Sequence, residues 1–338
     1  MALAAREQQD RKSLRAPALL SATAGLHPGV VRSSTGPLSP AEIGGNQPLV
    51  QANPYIKVQK ESLGTPRQPV APGLGHVIPV LAAHAGAGAS TCALALADAA
   101  DTAGLRVLLI DTADPARSGL SYSCDVEGSV LVGSSSRRGV QLSRRRSIDV
   151  RRVAAGLSGL CLPDAVPDVS AWREALAVAY DVTVVDLAGD AWQMWAGTPT
   201  PAAAWLIGAS TTPVVVLRAT RRGLTQLEGV LAAAAATATA PVKALVSVGA
   251  ATWPAEVLAV ASTQACRLLD SGFNMPWDGD LERYGLTTAP SPPALQAAAL
   301  HVLAGVGVPV DLGKSDDQQR HRRLPWPRGL QSNSERQR

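Results

Sequence analysis

His84-Ala85-Gly86-Ala87-Gly88-Ala89-Ser90-Thr91 is the stretch that decides the fold. An apolar run, Val77–Ala83, leads into it, and an alanine- and leucine-rich segment of helical composition, Thr91–Ala103, leads out. A strand, a glycine loop and a helix in that order bring backbone N–H groups and a helix N-terminus to bear on phosphate. Gly86 and Gly88 let the main chain approach an anion closely. The lysine that such a loop aims at the β- and γ-phosphates belongs at position 89, where this chain has alanine. The stretch therefore reads as a nucleotide cradle without its cation, with Gly86, Ala87, Gly88, Ala89, Ser90 and Thr91 around the phosphates. Ser90, directly after the vacant lysine position, or Thr91 offers a hydroxyl to Mg²⁺.

Further apolar runs of strand length are Arg106–Asp111, Gly159–Leu162, Val182–Leu187, Pro213–Ala219 and Val242–Val248. Bounded by Gly, Pro or Asp, such runs are typical of strands buried on both faces. Helical patterns at Ser170–Ala179, Arg222–Ala236, Pro254–Gln264 and Ala294–Gly305 separate most of them. The alternation predicts an α/β fold with a doubly wound, mainly parallel sheet. Ser118–Val153, dominated by Gly, Ser and Arg, gives no firm element.

Residues 1–75 are rich in Pro, Gly, Ser and Gln with no sustained period, and read as a disordered arm. The tail, 311–338, is polar and basic, with Arg320, His321, Arg322 and Arg323 clustered. Residues 76–310 form the expected domain. The chain of 338 residues carries a formal charge of +4, and its 31 basic residues divide into 26 Arg and 5 Lys. The four cysteines, Cys92, Cys124, Cys161 and Cys266, form no CxxC pair, which argues against zinc or a disulfide framework and for free thiols in a reducing cytosol. No signal-peptide pattern is visible, and no apolar run approaches the roughly 18 residues needed to span a bilayer. The expected location is the cytoplasm.

Two acidic residues close strands where a nucleotide site needs them. Asp111 ends RVLLID and Asp186 ends DVTVVD. Ligands of open α/β sheets bind outside the carboxyl ends of the strands, so both converge on the loop. There they would hold Mg²⁺, directly or through water, and Asp111 would orient an attacking water.

HAGAGAST, RVLLIDTADP and YDVTVVDLAG, in this order and at these intervals, resemble the ParA/MinD family of deviant Walker A ATPases. Those proteins partition plasmids, chromosomes and cell-division factors. The likeness runs from about His76 to Pro309 and takes in Pro276-Trp277-Asp278, where the family has a short segment near the base; Pro276 is thereby implied as a nucleotide contact. RVLLID is the most specific match. The departures are equally informative. His84 replaces the family's signature lysine, Ala89 replaces the loop lysine, and Thr112-Ala113-Asp114 carries one residue too many, so only Asp111 transfers safely. The resemblance implies a P-loop NTPase domain with ATP and Mg²⁺ as cofactors, held weakly or lost. It also implies a homodimer or a partner protein. Without both lysines, two cations are missing from the triphosphate, at a cost of several kcal/mol in a water-poor site.

Three readings follow. The leading one is a degenerate nucleotide-binding switch or scaffold with slow or no hydrolysis, in DNA partitioning, conjugative transfer or positioning of a machine. The second is an active ATPase in which His84, Arg117 or Arg221 substitutes for lysine. The third is a structural adaptor that binds no nucleotide. Arg137, Arg138, Arg144, Arg145, Arg146, Arg151 and Arg152 form a basic cluster that reads either as a DNA contact or as a solvated loop. Asp190 with Trp192, Trp195 and Trp205 reads as a partner surface or as core.

Overall fold

Strand β1 (His76–Ala82) runs through the middle of a nine-stranded sheet in the computed structural model of the chain. The structure describes residues 73–312, apart from 133–137, 156–165, 175, 177, 197–199, 209, 238–241 and 250–251. The chain divides after Gly64, and every described residue belongs to the second unit, Thr65–Arg338. The expected arm and tail lie outside the described residues except at their inner ends. There Leu74 is buried and its carbonyl accepts the Thr183 hydroxyl, so the domain already includes it.

The other strands are β2 (Val107–Asp111), β3 (Val126–Leu131), β4 (Val140–Arg145), β5 (Ile148–Val153), β6 (Val182–Leu187), β7 (Val214–Arg218), β8 (Ala244–Val248) and β9 (Phe273–Met275). Their order is β3-β4-β5-β2-β6-β1-β7-β8-β9. The seven strands from β5 to β9 run parallel, and β3 and β4 extend that sheet antiparallel beyond β5. The helices are α1 (Ala89–Thr102), α2 (Val169–Glu174), α3 (Ala191–Ala196), α4 (Arg221–Thr237), α5 (Ala255–Leu258), α6 (Thr263–Asp270), α7 (Gly279–Tyr284) and α8 (Pro293–Gly305).

Strand side chains alternate between two apolar layers. Ile78, Val80, Leu109, Val184 and Val246 pack under α1 and α8. Val77, Leu81, Leu108, Val185 and Leu217 meet Trp172, Trp195, Trp205 and the apolar side of α4. The chain thus has the doubly wound, mainly parallel sheet that its alternating runs predict. Alanine dominates the sheet-facing and α8-facing side of α1, which brings the helix close to both.

Several expectations change. Helix α1 begins two residues earlier than its composition suggests, because Gly88 in the left-handed region turns the chain directly into the first helical residue. The pattern over 170–179 yields only α2, and that over 254–264 breaks into α5 and α6, with Ser262 capping α6 through the Ala265 N–H. The unassigned interval 118–153 contains β3, β4 and β5. The expected strand Gly159–Leu162 lies outside the described residues.

The basic cluster is not one surface. Arg145 is fully buried and grips the Asp98 carboxylate with Nε at 2.9 Å and Nη2 at 3.0 Å. It also donates to the carbonyls of Ser123, Thr287 and Ala289. Asp98 in turn accepts the Ser291 N–H and hydroxyl. One ion pair therefore ties α1, β4 and the entry to α8. Arg151 and Arg138 are buried as well, and Arg152 donates to the Ser121 carbonyl and the Glu127 carboxylate. Arg144 and Arg146 remain exposed, and Arg144 pairs with Asp149. Trp195 and Trp205 are core, while Trp192 is half exposed.

A fully hydrogen-bonded buried ion pair becomes a liability when one partner is removed. Arg145→Met is expected to cost about 3–5 kcal/mol in urea unfolding, and Asp98→Leu/Arg145→Met less than either single change. A single variant within about 0.5 kcal/mol of the native chain would contradict this assignment.

Candidate functional site

A glycine loop connects β1 to α1 over residues 83–88. Gly86 (φ 74°) and Gly88 (φ 97°) both adopt the left-handed region, where a Cβ is strained. The Ala87 N–H returns to the His84 carbonyl at 3.1 Å, closing a tight turn. No side chain caps α1, and its first turn carries no acidic residue. Its leading amide groups therefore have no side-chain partner at the cap. Ala87 is buried, so the loop is packed against the body of the domain.

Alternation along the strands aims the two strand-end acids at α1. Asp111 follows Val107 and Leu109, and Asp186 follows Val182 and Val184, all on the α1 side of the sheet. The parallel register sets Asp111 directly opposite Asp186. Both are buried. The Ser118 hydroxyl donates to Asp111 at 2.5 Å, as does the Ala113 N–H at 2.9 Å. Ser90 lies close enough to Asp186 to act on its carboxyl as a hydrogen-bond partner. Thr112 clamps the two strand ends: its hydroxyl donates to the Asp186 carbonyl at 3.0 Å and accepts the Ala188 N–H at 2.9 Å.

Burial pushes the Asp186 carboxyl up to about 7; the adjacent Asp111 charge adds to the rise, and the Ser90 hydrogen bond opposes it. Asp111 is raised as well, chiefly by burial, and is held back by Ser118, the Ala113 N–H and the Arg152 charge. Arg152 stands opposite Asp111 in the next strand, so one cross-sheet row reads Arg152, Asp111, Asp186, Val80. Two like charges side by side in a buried place favour keeping a proton.

The segment after β2 closes over this pair. A Cβ on Gly119 would lie 3.1 Å from Ser90 Cβ, and the Leu120 N–H donates to the Ser118 hydroxyl. Sequence reasoning missed Ser118, Thr112 and Arg152. Ser118 opens a glycine- and serine-rich stretch, Thr112 figures only as part of an irregular motif, and Arg152 is grouped with the basic cluster.

The structure places the other expected residues as follows. His84 does not stand free beside the loop: Nε2 accepts the Arg218 N–H at 3.2 Å and Nδ1 lies 2.9 Å from the Ala85 carbonyl. A ring carrying its proton on Nδ1 satisfies both contacts. The imidazole thus braces the loop against the end of β7. Arg117 and Arg221 are exposed, one in the segment after β2 and the other at the start of α4. Pro276 follows β9, which pairs with β8, and the β8 residue Val248 lies beside Gly88. Next to it, Trp277 is covered by the Arg218 guanidinium, 3.9 Å from the ring centre.

The donor set fits a hard cation held largely through water: two carboxylates and a hydroxyl, with no cluster of three or more His, Cys, Asp or Glu among the described residues. The loop fits phosphate through its amides. No described helix is long and apolar enough to cross a membrane.

No protein-family model and no curated protein matches the chain. Among solved structures it is similar to the septum site-determining protein MinD of Pyrococcus horikoshii in complex with Mg-ADP, at 16% identity and a TM-score of 0.43, covering 69% of this chain and 98% of that one. It is also similar to a ParA family ATPase of Chlorobium tepidum, at 14% identity and a TM-score of 0.43, covering 67% and 96%. A third is the MinD cell division protein of Aquifex aeolicus, at 16% identity and a TM-score of 0.42, covering 70% and 100%.

The raised Asp186 carboxyl has a consequence for stability. Its folded value, about 7, lies above the ordinary aspartate value of about 3.9, so the fold favours the protonated form. The native chain should lose stability as pH rises from about 4 and level off above about 7. Without divalent metal, Asp186→Asn should gain on the native chain between pH 5 and 8 by on the order of 1–2 kcal/mol. A gap that does not change with pH, read by thermal or urea unfolding, would contradict this.

Proposed function

We propose that the chain is a nucleotide-responsive switch or scaffold of ParA/MinD type with slow or no hydrolysis. The observation that carries this reading is the uncapped start of α1, behind two left-handed glycines and facing a buried carboxylate pair. The amides of Gly86–Thr91 would bind the phosphates of ATP. Ser90, Asp111 and Asp186 would hold Mg²⁺, directly or through water. The metal would supply the positive charge that neutralises carboxylates and phosphates facing each other.

What the chain's own residues do is more specific. Ser118 gives up its hydrogen bond to Asp111 if that carboxylate is to serve a metal, and the segment after β2 shifts with it. Binding is thereby coupled to a change in shape beside the loop, which is the property a switch needs. Hydrolysis lacks its cations: position 89 is alanine, and His84 is engaged by the Arg218 N–H and the Ala85 carbonyl. The class of work that goes with this reading is positioning of a machine, DNA partitioning or conjugative transfer, with a second copy or a partner protein.

A second reading is a structural adaptor without nucleotide. The closed Ser118–Asp111 contact and the packing of Gly119 on Ser90 favour it, because the site is satisfied as it stands. An active ATPase would need Arg117 or Arg221, both exposed, to swing inward.

Millimolar Mg·ATP is expected to raise the melting temperature by a few degrees, with no phosphate release above a buffer control. Ala89→Lys should tighten binding about tenfold or more, since a charge-assisted contact to phosphate is restored. Binding by the variant alone would favour the adaptor with an intact cradle. Absence of any shift in both proteins would overturn the nucleotide reading.

A further inference from the structure

Among the described residues strand β3 is the free edge of the sheet, and it is exposed along its whole length. Its apolar residues are open to solvent: Val126 is 56% exposed, Val130 47% and Leu131 39%, with Val132 at 75% just beyond. Tyr122, four residues before the strand, is 83% exposed. Edge strands are ordinarily protected by lysine, proline or a covering element, because their unpaired backbone groups invite another strand. Between Val126 and Val132 there is no lysine or proline, and among the described residues no strand pairs the outer side of β3.

This edge is held rigidly. Ser121 and Ser123, on either side of Tyr122, have their carbonyls fixed by Arg152 and by the buried Arg145, at 3.2 and 2.8 Å. The one ionisable side chain of β3, Glu127, pairs with Arg152 of its own chain. The surface is therefore preorganised, apolar and internally neutralised.

The strand is also self-complementary. Opposite β4, the register shifts between Glu127 and Val130, so that Val126 faces Arg144, Glu127 faces Ser143, Val130 faces Gln141 and Leu131 faces Val140. Arg144 and Val140 share one face of β4, and Ser143 and Gln141 share the other. The irregularity therefore places Val126 and Leu131 on one face of β3, and Glu127 and Val130 on the opposite face. An antiparallel neighbour related by a two-fold axis at Gly128-Ser129 would set Val126 against Leu131 of the second copy, apolar against apolar. It would set no like charges opposite each other. A strand with regular alternation over this length would not allow that pairing on a common face.

We propose that β3 pairs edge to edge with β3 of a second copy of this chain, joining two sheets without any need for nucleotide. Six residues a side is far below the 20–30 of a standard interface, so the dimer is weak, with a dissociation constant on the order of 10–100 µM. The association is isologous and closes at two copies, because each copy has one such edge.

Sedimentation velocity of the full chain over about 1–300 µM tests this, using Val126→Lys, Leu131→Glu and their equimolar mixture, all without nucleotide. Both positions are exposed, and unchanged circular dichroism and melting confirm that each variant folds. The expected result is a concentration-dependent dimer for the native chain and monomer for either variant. The mixture should dimerise again, because lysine of one copy then meets glutamate of the other. A native chain that stays monomeric throughout, single variants that still dimerise, or a mixture that stays monomeric would each overturn the proposal. Dimerisation that appears only with Mg·ATP would overturn it too, while leaving the nucleotide reading intact.

Discussion

Asp111 and Asp186 stand opposite each other at the ends of neighbouring strands, buried, and the surroundings of the glycine loop answer to that pair. Two carboxylates cannot both stay charged there without help. In this chain the help is a hydroxyl on each, Ser118 on one and Ser90 on the other, together with Arg152 one strand away and a raised tendency to keep a proton. A loop lysine would normally bring positive charge to such a place. With alanine at position 89, the site is left dependent on a proton or on a metal.

The scaffold explains why the pair cannot simply move apart. Thr112 fixes the ends of β2 and β6 to each other, and Asp98 with Arg145 anchors α1 to the extension of the sheet. Helix α1 carries Ser90 at its start and Asp98 in its middle. The same helix thus follows the glycine loop and carries the buried ion pair that supports the β4 side.

The central sheet was legible because its strands are near-continuous apolar runs and its acids fall at run ends. RVLLID and DVTVVD give both the strand and the direction of its last side chain. The register that sets Asp111 against Asp186 follows from the order of strands, and no local pattern encodes it. The interval 118–153 was opaque for a different reason. β3 is exposed on both faces, and β4 and β5 carry arginines in buried positions, so neither shows clean alternation. Arg145 reads as surface until Asp98, 47 residues earlier, is known to face it. His84 likewise shows its role only when the end of β7 is folded against it.

Calorimetry of Mg·ADP binding near pH 7, repeated in buffers of different ionisation enthalpy, tests the central claim most directly. It counts the protons exchanged as ligand enters. The account predicts one saturable site and a net release of protons, as the carboxylate pair gives up its proton to make way for metal. Binding with no buffer dependence, or no saturable heat at all, would contradict it.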